Sequence, residues 1–219
     1  MTTFPGSPKL LKGGIVQVDP DSGAVLGSIA LQYNPETLSR SLQVQAITPA
    51  QGDFSQALRI KGPPIETFKL EAVIDAYDQL ETPDQHPTAV QVGIHPQLAA
   101  LESLIYPASA DLLSNNALAS SGMLEIIPMQ KPLTLFVWSK SRIVPVRITD
   151  FSVTEEAFDP DLNPIQAKVS LGLRVLSVDD LGFDVKGGSL FMAYLQQKEQ
   201  LAAKNPAAGL SVFGIGGLP

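Results

Sequence analysis

Apolar and polar residues alternate with a period of two through most of this chain, and this pattern predicts a fold made mainly of β-strands. The clearest strand runs over 65–77, where Phe68, Leu70 and Ile74 face one way and Lys69 and Glu71 face the other. Similar patterns predict six more strands, over 10–18, 24–33, 38–47, 133–138, 142–155 and 165–178. The chain therefore provides about seven strands.

The strand predicted over 142–155 changes phase along its length. Its inward residues are first Val144, Val146 and Ile148, and then Phe151 and Val153. Because such a change of phase inside one strand implies an irregularity, we expect a β-bulge or a bend between Ile148 and Phe151.

The strand predicted over 38–47 has an apolar face and a face of serine and glutamine. Leu38, Leu42 and Val44 are expected to be half-buried on the first face, with Ala46 continuing it. The second face consists of Ser39, Ser41, Gln43 and Gln45. Such side chains can form hydrogen bonds when another subunit covers them, and no charge then has to be desolvated.

Helices are predicted in two places. Pro96 suits the first turn of a helix with an apolar stripe that ends at Pro107, and a second helix is predicted over 189–203. We expect loops over 78–92 and most of 108–131, including 114–116 and 120–122, with a short strand at 124–127.

These elements predict a mainly β fold, a closed or nearly closed barrel of about seven strands with one flanking α-helix. A C-terminal helix and a tail follow it. The expected organisation is an N-terminal arm over 1–8, the barrel domain over 9–180, a helical extension over 181–204, and a Gly/Ala/Pro-rich tail over 205–219 that carries apolar residues.

Composition excludes several classes of function. The net charge is −7 and the Lys and Arg residues are scattered, so nucleic acid is not expected as a partner. There is no cysteine, which excludes disulfides and thiolate metal sites. No apolar stretch is long enough for a membrane helix, and the start has no signal-peptide pattern, so we expect assembly in the cytoplasm and no membrane insertion. Charged residues make up only 17%, which fits either a surface covered by partners or a plain low-charge monomer.

Candidate chemistry is sparse. His86 and His95, each next to a proline, do not form a metal pair, and the turns 19–23 and 159–163 lack the spacing of a calcium loop. Glu155 and Glu156, with Asp159 and Asp161 after them, have no histidine beside them and suit a solvated rim or a contact for a basic partner better than catalysis. We therefore expect no enzyme activity, no cofactor and no metal. Trp138 can be an interface anchor or a residue at the edge of the core.

The most informative segment is the corner Tyr33-Asn34-Pro35-Glu36, where one strand ends and the next begins. Residues 30–40 resemble the Asn-Pro-Glu signature of tube-type baseplate proteins of contractile injection systems. Three further segments, 68–78, 96–107 and 147–158, fit the same family in the same order. The resemblance covers about residues 10–178.

Membership of this family would imply a small tube-protein-like barrel that forms a hexameric ring. The implied partners are other copies of the chain, an inner-tube or tube-initiator protein, the spike or hub protein and other baseplate proteins, within a phage-tail-like particle that is extracellular after release. The segment after 180 is too short for the LysM module that such proteins often carry, which suggests a short adaptor or a tube-initiating ring.

The resemblance and the strand faces together select the expected interface residues, which are Tyr33, Asn34, Pro35, Glu36, Ser41, Gln43, Gln45, Trp138, Glu155 and Glu156. Two alternatives remain open. The first is a β-barrel module that binds a small ligand or a peptide in the barrel mouth and needs a pocket of several hundred Å³. The second is a hydrolase that uses Glu155, Glu156 or Asp159.

Overall fold

The computed structural model describes residues 10–46, 59–121, 131–206 and 209–215. Seven strands form one antiparallel sheet in the order β2-β1-β5-β6-β7-β4-β3. They are β1 Gly14–Val18, β2 Val25–Ala30, β3 Leu38–Gln43, β4 Ile65–Asp75, β5 Leu133–Ser139, β6 Arg142–Phe158 and β7 Pro164–Val175. The mainly β prediction is confirmed. The predicted arm over 1–8 and the predicted strand over 124–127 lie outside the described residues.

The sheet curls around a continuous apolar core. In the strand order β4 and β5 are three positions apart, which would separate them by about 14 Å in a flat sheet. The rings of Phe68 on β4 and Phe136 on β5 instead lie with their centroids 5.4 Å apart. The end strands β2 and β3 are not paired with each other in the described ladders, so backbone hydrogen bonds do not close the curled sheet.

The predicted bulge in β6 is confirmed. Ile148 pairs with Leu173 and Asp150 pairs with Gly172, so Thr149 is the extra residue between them. A Cβ atom at position 172 would lie 2.8 Å from the Cβ of Asp150. The bulge therefore requires a glycine on the facing strand.

The prediction of a single flanking helix is wrong. Between β4 and β5 the described chain forms α1 Tyr77–Leu80, a 3-10 turn Pro83–Gln85, α2 Pro87–Val92, α3 His95–Glu102 and α4 Ser109–Ser120. Pro83 and Pro87 are the first residues of the 3-10 turn and of α2, and Pro96 is the second residue of α3. In the first turn of a helix the missing N–H of proline is not needed for a hydrogen bond. α4 includes the serines and asparagines predicted as loop, and none of its residues is buried, so it lacks an apolar stripe by which to recognise it.

The C-terminal extension packs on the sheet as α5 Val178–Leu181 and α6 Lys186–Ala202. Ser177 caps α5, because its hydroxyl accepts from the Asp179 N–H and the Asp180 carboxylate accepts from the Ser177 N–H. Phe191 and Tyr194 of α6 belong to the main core, which confirms the predicted helix.

A buried carboxylate attaches α6 to the sheet, and the sequence analysis missed it. Glu66 on β4 is only 3% exposed. The Tyr194 hydroxyl donates to Glu66 Oε1 at 2.8 Å, and Lys198 Nζ donates to Oε2 at 2.7 Å. Arg40 Nε on β3 lies 3.8 Å from Oε1. The carboxylate is thus paired and hydrogen-bonded, as a buried charge must be.

Candidate assembly interface

The Tyr33–Glu36 corner is fixed to the rest of the molecule by two amide side chains. The Gly13 N–H donates to Asn34 Oδ1, and Asn34 Nδ2 donates to the Leu11 carbonyl, both at 2.8 Å. On the other side Gln32 Nε2 donates to the Asp75 carbonyl at 2.9 Å, and the Asp75 N–H donates to Gln32 Oε1 at 3.0 Å. Asn34 therefore holds the segment before β1, and Gln32 acts as a substitute strand partner at the end of β4.

The outer surface of the corner is open. Tyr33, Asn34 and Glu36 are exposed and Pro35 is partly buried. Residues 33–37 face Glu71 and Val73 of β4 across a cleft of about 450 Å³. Partial desolvation of the Tyr33 hydroxyl and the nearby carboxylates of Asp75 and Asp78 raise the pKa of this side chain, so the corner lies in an acidic environment.

The strand β3 is exposed on both faces. Ser41 is hydrogen-bonded to Thr67 across the β3–β4 pair at 2.6 Å, and Gln45 donates to the Pro63 carbonyl. Gln43 is exposed. On the apolar face, however, Leu42 is 44% exposed and Val44 is 66% exposed. The prediction that these two side chains are half-buried is wrong, because no strand lies beyond β3 in the described sheet to cover them.

The other end of the sheet is open as well. Among the described strands β2 pairs with β1 alone, and its residues Val25 and Leu26 are both largely exposed. Two unpaired strand edges with exposed apolar side chains are a template for pairing with another chain.

Trp138 lies at the edge of the core. Its ring centroid is 5.9 Å from that of Phe136, and the side chain is partly buried. A Cβ atom at position 13 would lie 2.8 Å from Trp138 Cε3, so Gly13 makes room for the ring. These surroundings match the interpretation of Trp138 as a residue at the edge of the core.

The acidic residues near the β6–β7 turn do not form a cleft. Glu155 and Glu156 are exposed, and Glu156 forms an ion pair with Lys168 at 2.6 Å. Asp159 accepts from the backbone of Asp161 and from the backbone and side chain of Asn163, which lowers its pKa. Asp159 thus stabilises the turn and Glu156 pairs across the strands with Lys168, and the geometry offers no support for the hydrolase alternative.

Asp19 does the same in the β1–β2 turn, where its Oδ1 accepts from the Ser22 N–H and hydroxyl at 2.7 Å. Within the described ranges no group of three His, Cys, Asp or Glu residues is arranged to hold a metal ion. His86 and His95 are exposed.

The interior of the curled sheet is filled with side chains. Phe68, Phe136, Val144, Val169, Leu171 and Leu173 are all essentially inaccessible to solvent. A largely apolar cavity lies instead at the margin, between β2, β4 and α3, and has a volume of about 300 Å³. Its lining comprises Ser28, Ile29, Ala30, Leu31, Gln32, Ala72, Ile74, Pro96, Gln97, Ala100 and Leu101.

No protein-family model matches this chain, and no curated protein sequence matches it. Among the described helices, none has both the length and the apolar character needed to cross a membrane.

Proposed function

We propose that this protein is a structural subunit of a contractile injection particle, a ring component that joins the inner tube to the spike hub. In this proposal, copies of the chain join through their open strand edges. Because β2 and β3 are different surfaces, the contact is head-to-tail, and such contacts close into a ring when the rotation between copies allows it. Six copies are expected by resemblance to the tube-type family.

The observation that supports this most strongly is the pair of unpaired end strands. An edge strand of a monomer is usually protected by charges, prolines or a covering element. Here β2 exposes Val25 and Leu26, and β3 with its continuation exposes Leu42 and Val44. A neighbouring strand would satisfy the free backbone groups and cover the apolar side chains together.

The packed interior adds weaker support. A barrel that holds a ligand in its mouth needs free space among its inward side chains. The inward residues of β4, β6 and β7 fill that space. The alternative of a binding module would have to use the marginal cavity at α3, which is of suitable size for a small ligand or an apolar side chain.

The test is the double variant Leu42→Lys/Val44→Lys in the full chain, produced together with the other particle components. Both side chains are exposed in the single chain, so the variant should fold, whereas two charges on β3 should prevent strand addition. Electron microscopy is expected to show spikes without attached tubes. The matched control is Leu113→Lys on α4, which is 70% exposed and lies outside the sheet. Normal particles with the double variant, or without the protein, would refute the proposal.

A further inference from the structure

The marginal cavity carries an unused polar atom. Gln97 Oε1 is shielded from solvent and has no hydrogen-bond partner among the described residues. A buried acceptor without a donor costs about 1–3 kcal/mol. The cavity is otherwise apolar in character, so it suits an aliphatic side chain whose backbone brings N–H groups.

The surroundings of the cavity are negative. Residues 70–121, which include the end of β4 and the helices α1 to α4, contain seven Asp and Glu and no Lys or Arg. Gln32 lines the cavity and is hydrogen-bonded to Asp75, and the charges of Asp75 and Asp78 act on the adjacent Tyr33. An occupant with positive charges next to its apolar residues is therefore favoured.

One segment of this chain has that composition. In Lys9-Leu10-Leu11-Lys12 two leucines are flanked by two lysines, and residues 1–18 contain no Asp or Glu. Leu10 is 82% exposed and Leu11 is 69% exposed. These side chains bury little apolar surface within their own copy.

We propose that the segment 9–12 of one copy docks on a second copy, with Leu10 and Leu11 against the cavity between β2, β4 and α3. The inference rests on the self-assembly part of the proposed function. In the single copy Leu10 and Leu11 stay exposed while Asn34 holds the Leu11 carbonyl and the Gly13 N–H, so they do not fill the cavity of their own copy. The same hydrogen bonds order the segment before binding and so reduce its entropic cost.

The C-terminal residues Val212 and Phe213 are exposed apolar side chains too. They are a weaker candidate for the cavity, because the segment 200–219 contains a single cation, Lys204, several residues away. Their occupancy is one outcome of the test.

The test uses the absence of cysteine from the chain. Full-length Leu10→Cys protein is mixed with full-length Ala100→Cys protein under mild oxidation, and the products are identified by mass spectrometry. Leu10 is exposed, and Ala100 lines the open cavity on α3 and is only partly buried, so an oxidant can reach both positions. A disulfide between the two variants is expected, with its loss at high salt because exposed charges are then screened. The matched control replaces Ala100→Cys by Leu113→Cys and should give no cross-link.

Three results would overturn the inference. One is a disulfide from Leu10→Cys to the control position Leu113→Cys that forms as efficiently as the disulfide to Ala100→Cys. Another is an intrachain disulfide in the double variant Leu10→Cys/Ala100→Cys, which would place the segment on its own copy. The third is a cross-link of Phe213→Cys to Ala100→Cys with none from Leu10→Cys. Absence of any cross-link, in particles that the Leu42→Lys/Val44→Lys variant still disrupts, would reject only the docking of this segment. A cross-link combined with normal tube attachment in that variant would reject only the ring function.

Discussion

The strands β7 and β3 have the same alternating pattern in the sequence but opposite fates in the structure. On β7, Val169, Leu171 and Leu173 are at most 1% exposed, because the strand is paired on both sides by β4 and β6. On β3 and its continuation, Leu42 and Val44 remain exposed, because the strand is paired on one side only. Alternation thus identifies the side chains that share a face, but the neighbours of the strand decide whether that face is covered.

The largest expected effect comes from removing a core side chain of the central strand. Leu171→Ala should lower the free energy of unfolding by about 2–5 kcal/mol, since it leaves a cavity among tightly packed residues. Leu42→Ala on the edge strand should change it by no more than about 0.5 kcal/mol. Urea unfolding monitored by the fluorescence of Trp138 measures both. Similar losses for the two variants would show that β3 is covered even in the single chain.

The next effect concerns Glu66, which joins β4 to the helix α6. Glu66→Ala removes the acceptor of the buried Tyr194 hydroxyl, and we expect a loss of about 1–3 kcal/mol in the free energy of unfolding. Lys198 and Arg40 are partly exposed and can turn to solvent, so neither should remain as an unpaired buried charge.

Glu71→Ala is the matched control for this prediction. It removes an exposed carboxylate from the same strand and should have an effect within about 0.5 kcal/mol. Equal effects of the two substitutions would mean that the carboxylate of Glu66 does not fix α6 to the sheet.

Glu66 also illustrates what the sequence could and could not reveal. It continues the inward series of Phe68, Leu70 and Ala72, so its position on the core side follows from the period of two. Its partners Tyr194 and Lys198 are more than 120 residues away, and no local pattern connects them to it. The bulge in β6 was predictable for the opposite reason, because one strand alone contains the whole signal.

The helices between β4 and β5 were missed on similar grounds. In α4 no side chain is buried, and serine and asparagine interrupt its leucines and alanines, so the segment lacks a clear apolar stripe. At the candidate interface the corner itself was predictable from Pro35, which cannot continue a central ladder. The clamps on either side of it, from Asn34 to Leu11 and from Gln32 to Asp75, depend on how distant strands meet.

A smaller effect is expected at this corner, which connects the two end strands. Asn34→Ala removes the hydrogen bonds to Gly13 and Leu11, and we expect a loss of about 1 kcal/mol in the free energy of unfolding. Asn34→Asp keeps an acceptor for the Gly13 N–H but sets a carboxylate oxygen against the Leu11 carbonyl, so it should be destabilising as well. Hydrogen exchange at the Gly13 amide, which donates to Asn34, and at the Leu31 amide, which donates to the Gly13 carbonyl, measures the local opening.

Asn116→Ala, at an exposed position of α4, is the control for the corner variant. It should leave the exchange rates of the Gly13 and Leu31 amides unchanged. If Asn34→Ala also leaves them unchanged, the side chain of Asn34 does not hold the segment before β1.

The smallest expected effect is on the pH dependence of stability, and it compares the turn between the interior strands β6 and β7 with the turn of the edge hairpin β1–β2. Asp159 in the β6–β7 turn and Asp19 in the β1–β2 turn both accept local hydrogen bonds that lower their pKa. A lowered pKa in the folded state adds stability above the unfolded value of about 3.9, and this contribution is lost as the pH falls through the folded value. The stability of Asp159→Asn and of Asp19→Asn should therefore differ from that of the unchanged protein at neutral pH and converge with it in acid.

Asp159→Asn should have the larger effect, because the Asp159 carboxylate also accepts from the Asn163 side chain in a turn between two doubly paired strands. Thermal unfolding as a function of pH provides the comparison, and a larger effect at Asp19 would show that the edge hairpin limits the stability of the whole sheet.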